Sequence, residues 1–314
     1  MRLKPRHGLL AVVFVLLTLV WGTTWAAIRI GLAGMPPFTS VALRFAIATA
    51  ILLLIAKAMK VRLGAEPHEK MLWLVNGALF FSVSYGVVYW SEQYVPSGLA
   101  AILFATFPLL VTLFAHLLLP GEPLRFRAGL GAVVAFCGVV VIFSEDLTKI
   151  GGPKTKLAAA VLLLSPLVSA LSSVSIKKWG ARIHPISLAA MPMAVATVVM
   201  TAMALLFERH RSIVWTPASI GALAYLAVFG SAMTFTLYYW LLRHVRASHV
   251  ALIAYATPVI AVATGVLFLN EPLTSRFVLG GALAGFVTLE HLGIRDLASI
   301  GVWRRSEEEF QEFL

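Results

Sequence analysis

The stretch from Tyr85 to Pro108, YGVVYWSEQYVPSGLAAILFATFP, decides how the chain is read. Tyr85, Tyr89 and Glu92 stand at i, i+4 and i+7, so they share one face of a helix. Pro96, Ser97 and Gly98 break that helix, and Ser97 is placed to cap the next one. Apolar runs flank the break on both sides, so polar groups gather at a helix end inside a hydrophobic region. The pattern has an echo. Tyr89, Trp90 and Pro108 recur as Tyr239, Trp240 and Pro258, each 150 residues further on.

Composition sets the surroundings. The chain has 314 residues, 60% hydrophobic and only 12% charged, and its mean hydropathy is +0.90. Soluble chains carry roughly a quarter charged residues, and apolar runs of about 20 residues are what a bilayer crossing needs. The chain therefore reads as an all-α polytopic membrane protein with no room for a sizeable soluble domain. Its formal charge of +11 lies between the apolar runs, where it marks topology and lipid head-group contact rather than nucleic acid. The single cysteine, Cys137, rules out a disulfide framework. Arg2, Lys4 and Arg6 precede a long apolar run without a cleavage motif, which reads as a first membrane helix.

Ten spans are expected: 8–29, 38–56, 71–91, 97–119, 127–144, 157–176, 185–207, 218–242, 247–269 and 276–294. The first holds Trp21 and Trp25 one turn apart, with Gly22 and two threonines between them. They suit an interfacial belt or a cavity wall. The second holds Arg44, which costs about 3 kcal/mol within hydrocarbon, so it must snorkel or face the bundle interior. Asn76 and His116 are lone polar residues that a neighbouring helix can satisfy. Glu122 and Glu271 each precede Pro-Leu and an apolar span, and capping is the role expected of them. Spans five and ten carry spaced glycines that allow close helix approach. Span six puts Ser165, Ser169, Ser172 and Ser173 on one broad face, either as helix glue or as cavity lining. Span eight carries Tyr238 and Tyr239, and span nine Tyr255.

Loop charge gives orientation. With the N-terminus inside, 17 of the 25 Lys and Arg lie on the cytoplasmic side, 7 lie outside, and Arg44 is within its span. That follows the positive-inside rule. Five spans per half is odd, so the two copies must cross in opposite directions. The expectation is ten transmembrane helices as two inverted five-helix repeats, residues 1–146 and 147–314, with both termini cytoplasmic. Inverted repeats of this kind belong to alternating-access carriers with a midplane site. No Walker A string supports an ATP-driven pump, and no His/Asp/Glu cluster supports a membrane enzyme, the rival reading from another class.

Trp21-Gly-Thr-Thr-Trp25, Ile28-Arg-Ile-Gly31, Arg44-Phe45, Glu92-Gln-Tyr-Val-Pro-Ser-Gly98, Thr106-Phe-Pro108 and Asn270-Glu-Pro272 together resemble the EamA family of the drug/metabolite transporter superfamily. Within it the chain is most similar to YedA-type bacterial permeases. The resemblance implies a secondary transporter of the bacterial inner membrane, often an exporter of amino acids or related metabolites. It also implies that spans 1, 3, 4, 6, 8 and 9 line a central cavity. Export of aromatic or quaternary cations is the alternative, since aromatic faces attract cations. Expected substrate-binding residues are Trp21, Trp25, Arg44, Tyr85, Tyr89, Glu92, Ser169, Tyr239 and Tyr255, with no cofactor or metal. Arg44 is expected to meet Glu92 or a substrate carboxylate, and Glu92 is the candidate proton carrier. The partners expected are a small-molecule substrate, membrane lipids and, on assembly, a second copy in a homodimer.

Overall fold

The structure, a computed structural model, describes residues 7–64, 66–95, 97–122, 126–142 and 152–257, together with Ile260 and Leu279. Every regular element among these residues is a helix. The helices are α1 (His7–Leu32), α2 (Pro37–Ala58) and α3 (Pro67–Ser91), then α4 (Ser97–Phe104), α5 (Phe107–Leu118) and α6 (Phe126–Ile142). They continue with α7 (Gly152–Trp179), α8 (Pro185–Phe207), α9 (Pro217–His244) and α10 (Ala247–Thr257). Six of them, α1, α2, α3, α7, α8 and α9, are long and apolar enough to cross a membrane. Helix stands where nine of the ten expected spans begin; of the tenth, 276–294, only Leu279 is among the described residues.

Local chemistry sets the boundaries. Proline opens α2, α3, α8 and α9, at the first turn, where its missing N–H has no helical partner to lose. Thr216 caps α9 by accepting from Ser219 N at 3.1 Å. The expected span 97–119 is two helices rather than one. Pro108 cannot continue the turn before it, and the chain bends at Ala105 and Thr106, with Thr106 Oγ1 donating back to Leu103 O at 2.8 Å. Both α3 and α9 contain π-helical stretches, Asn76–Ser84 and Val228–Met233. Moved back by 150, the second falls inside the first. Such stretches are rare and recur at functional sites.

The helices pair across the two halves of the chain. α2 packs on α8, α1 on α9 and α3 on α7, while α5 packs on α7 and α10. Exchanging equivalent helices of the two halves leaves the first three pairings unchanged as a set. Arg44, Phe45, Phe81, Tyr89, Phe235 and Tyr239 lie fully buried at the centre. Leu54, Leu117, Val198, Leu205, Leu206 and Phe207 are exposed on the outside, a surface that suits hydrocarbon rather than water.

Two buried glutamates stitch the halves together by capping each other's helices. Glu208, just past α8, accepts from Phe38 N (2.9 Å), Thr39 N (2.8 Å) and Thr39 Oγ1 (2.7 Å) at the start of α2. Glu122, past α5, accepts from Ala247 N through both carboxylate oxygens, at 3.0 and 2.9 Å. Glu122 is thus a cap, as its sequence suggests, and among the described residues the helix it caps is α10. Glu271 lies outside the described residues. Glu208→Ala removes three bonds to a charged acceptor and strands two helix-end N–H groups. It is expected to lower stability by about 2–4 kcal/mol, read as an earlier melting midpoint in detergent, with Glu208→Gln recovering part of the loss.

Candidate functional site

Arg44 sits on α2 with 1% of its surface exposed. Its Nε donates to Ser231 Oγ at 2.7 Å, Nη1 to the Tyr89 hydroxyl at 3.0 Å and Nη2 to Gly230 O at 2.8 Å. Gly230 and Ser231 come from the π-helical stretch of α9, so the second half of the chain supplies two of the three acceptors. A Cβ on Gly230 would stand 3.3 Å from Nη2, which is why glycine suits the position. The guanidinium also lies over the Tyr85 ring, 4.9 Å from its centroid. A guanidinium has five N–H donors, and these bonds take three of them. The cation is thus held from α3 and α9 at once.

Arg44 borders a cavity of about 110 Å³. Trp21, Trp25, Phe104 and Phe107 form an aromatic side, with Trp21 tilted against Phe235 and Tyr238 at 5.4 and 5.2 Å between centroids. Ser169, Ser173, Ala254 and Thr257 form another side. The two sets correspond. Trp21 and Trp25 plus 148 give Ser169 and Ser173; Phe104 and Phe107 plus 150 give Ala254 and Thr257. The two halves thus place equivalent positions at one cavity, aromatic from the first half and small or hydroxylated from the second. Arg44 likewise has no counterpart cation, since residue 192 is a proline.

The hydroxyls are ordered by one another. Ser84 Oγ lies 2.7 Å from Ser165 Oγ and 3.0 Å from Ser169 Oγ, and Ser173 Oγ lies 2.8 Å from the Tyr238 hydroxyl. Ser169 and Ser173 each donate to the carbonyl four residues back, at 2.7 and 2.9 Å. Helix glue and cavity lining, offered as alternatives by the sequence, are here the same serines. Asn76 is satisfied by neighbours, donating to Leu72 O at 2.8 Å and accepting from Ser172 Oγ.

Of the nine expected binding residues, Trp21, Trp25, Arg44, Tyr85 and Ser169 line this cavity, and Tyr89, Glu92, Tyr239 and Tyr255 do not. Tyr89 stands behind the wall and orients Arg44. Glu92 is 1% exposed, and neither carboxylate oxygen has a hydrogen-bond partner among the described residues. No ion pair joins it to Arg44, contrary to the expected contact; the helix end carries Glu92 past the turn that holds Tyr89, and Arg44 is satisfied from α9 instead. Tyr239 and Tyr255 are buried with hydroxyls unpartnered among the described residues. Sequence reading missed Ser84, Phe235 and Tyr238 as lining residues, and offered Ser173 only as one of a serine face. The repeat spacing already pointed to Ser173, as the counterpart of Trp25, and to Phe235, as that of Tyr85. Nothing local marked Gly230 and Ser231.

A profile of the EamA-like transporter family matches residues 8–144 and again residues 156–289. The chain belongs to the EamA-like transporter family. Among its relatives, the uncharacterized transporter YoaV of Bacillus subtilis is 26% identical over 85% of this chain and 90% of its own length. Protein PagO of Salmonella typhimurium is 29% identical over 81% of this chain and 83% of its own. The uncharacterized inner membrane transporter YedA of Escherichia coli K12 is 29% identical over 93% of this chain and 92% of its own. A crystal structure of a protein 20% identical to this chain shares the fold, with a TM-score of 0.78, over 92% of this chain and 99% of that one. The protein is accordingly a multi-pass membrane transporter for a small-molecule substrate, and not an enzyme.

Proposed function

We propose that the chain exports small amphipathic carboxylates, amino acids or close relatives, across a bacterial inner membrane by alternating access of two inverted five-helix repeats. The observation that carries this reading is Arg44. A fixed cation at the edge of an aromatic cavity favours a ligand that brings a negative group and an apolar body. Among the described residues no Asp or Glu lines the cavity, so the alternative substrate, an aromatic or quaternary cation, would meet Arg44 without a counter-charge from them. The corresponding positions of the halves, and their pairing across the chain, support a midplane site between repeats. A cavity of about 150 Å³ takes a benzene ring; at about 110 Å³ this one fits a smaller solute, and larger ones require the helices to part.

Counterflow in proteoliposomes tests the reading. Preloading with unlabelled amino acid is expected to accelerate uptake of the labelled one, whereas a quaternary ammonium is not expected to exchange. Exchange of cations alone would overturn the substrate class. Glu92, a buried acid within the fields of Arg29 and Arg44, is the candidate proton carrier. Glu92→Gln is expected to retain exchange while losing dependence of net transport on an imposed proton gradient. Unchanged gradient dependence would remove Glu92 from that role.

A further inference from the structure

The ends of α1 and α7 carry a matched pair of contacts. Arg29, near the end of α1, donates through Nη1 to Glu92 O at 3.2 Å and to Val95 O at 3.4 Å, carbonyls that close the end of α3. Lys177, near the end of α7, donates through Nζ to Leu242 O and Val245 O at 2.5 and 2.6 Å, where α9 ends. Every member corresponds. Arg29 plus 148 is Lys177, and Glu92 and Val95 plus 150 are Leu242 and Val245. The side chains differ and the acceptors are backbone atoms, so what recurs is a cation reaching the C-terminal carbonyls of the third helix of each half. Helix C-termini carry partial negative charge and attract cations.

We propose that Arg29 and Lys177 are the positioning residues of the two gates, each holding one end of the transporter closed over the cavity. The inference rests on the carrier reading. Five helices per half place equivalent residues at opposite faces, so Arg29 belongs to the outer end and Lys177 to the inner. In each half the first and third helices both border the cavity: α1 gives Trp21 and Trp25, α3 gives Tyr85, α7 gives Ser169 and α9 gives Tyr238. A cation that ties their ends together therefore closes the passage between them, and its release at one face opens that face. The inner contact is reinforced. Glu122 lies 3.9 Å from Lys177 while capping α10, so releasing Lys177 also loosens a helix of the cavity. Arg29 is exposed and its contacts are longer, which leaves it within reach of water. Bonds to a charged donor are among the stronger ones, and unequal bonding between two states is what sets their populations.

Cysteine accessibility tests the pair. With Cys137 replaced by alanine, Val250→Cys places a reporter in the cavity wall, and an impermeant maleimide is applied to right-side-out and inverted vesicles. Arg29→Gln is expected to raise the labelling rate from the outer face at least about fivefold and lower it from the inner. Lys177→Gln is expected to do the reverse, and Arg29→Lys and Lys177→Arg to restore the parental ratio. Shifts in the same direction, an unchanged ratio with only a lower melting point, or a reporter silent from both faces would each overturn the proposal. Failure of the carrier reading is seen separately, as absence of counterflow in the parent. Opposite labelling shifts would support the gates even then.

Discussion

Arg44→Leu is expected to cut substrate exchange at least about 30-fold while the protein still inserts and purifies as a folded species. The magnitude follows from truncating one partner of a buried, hydrogen-bonded charge pair, which costs about 2–5 kcal/mol, with tenfold for every 1.4 kcal/mol. The fold is expected to tolerate the change better than transport does, because removing a buried charge also removes its desolvation cost. What leucine leaves behind is the Tyr89 hydroxyl, Ser231 Oγ and Gly230 O without their donor. Arg44→Lys separates charge from geometry. Lysine keeps the positive charge but cannot bridge Tyr89, Ser231 and Gly230 as a planar fork does, so an intermediate rate with a raised KM is expected. Parental exchange by Arg44→Leu would mean that the cation is structural and the carboxylate reading is wrong.

Gly77→Val is expected to destabilise the bundle by about 3 kcal/mol, at the upper end of what overpacking costs. Gly77 is the second residue of the π-helical stretch of α3, where it meets α8. A Cβ there would stand 2.5 Å from Val195 Cβ and 2.8 Å from Pro192 O. The second of these is backbone, which no rotamer change can move aside. Gly86→Ala is the control on the same helix, since its added Cβ would meet Met200 Cε at an ordinary 3.5 Å. Melting followed by size-exclusion in detergent distinguishes the two. A Gly77→Val protein that melts with the parent would show that the two helices can separate freely at this contact.

The sequence by itself determined the membrane class, most of the positions where helices begin and the spacing between the copies. Each follows from short-range physics: apolar runs of bilayer length, proline at first turns and features recurring 148 to 150 residues apart. The same spacing already implied a cavity built from corresponding positions, although it did not say which side chains would face it. Trp21, Trp25, Arg44, Tyr85 and Ser169 were legible because tryptophans one turn apart, a cation within hydrocarbon and a serine face are each improbable in a lipid-facing helix.

Only the tertiary structure decided how those residues are used. Of the two partners expected for Arg44, Glu92 forms no ion pair with it, and the guanidinium bonds two residues of α9, 186 and 187 positions away. Periodicity has no means of pairing residues across such a distance. Tyr89 shares a helical face with Tyr85, yet it stands behind the cavity because the guanidinium lies between its hydroxyl and the Tyr85 ring. Glu122 reads as a capping residue from sequence and Glu208 does not, but which helix each one caps depends on which ends the fold brings together. A backbone N–H carries no sequence signature, so the caps from Glu122 and Glu208, like the carbonyl clasps of Arg29 and Lys177, appear only once the chain is folded.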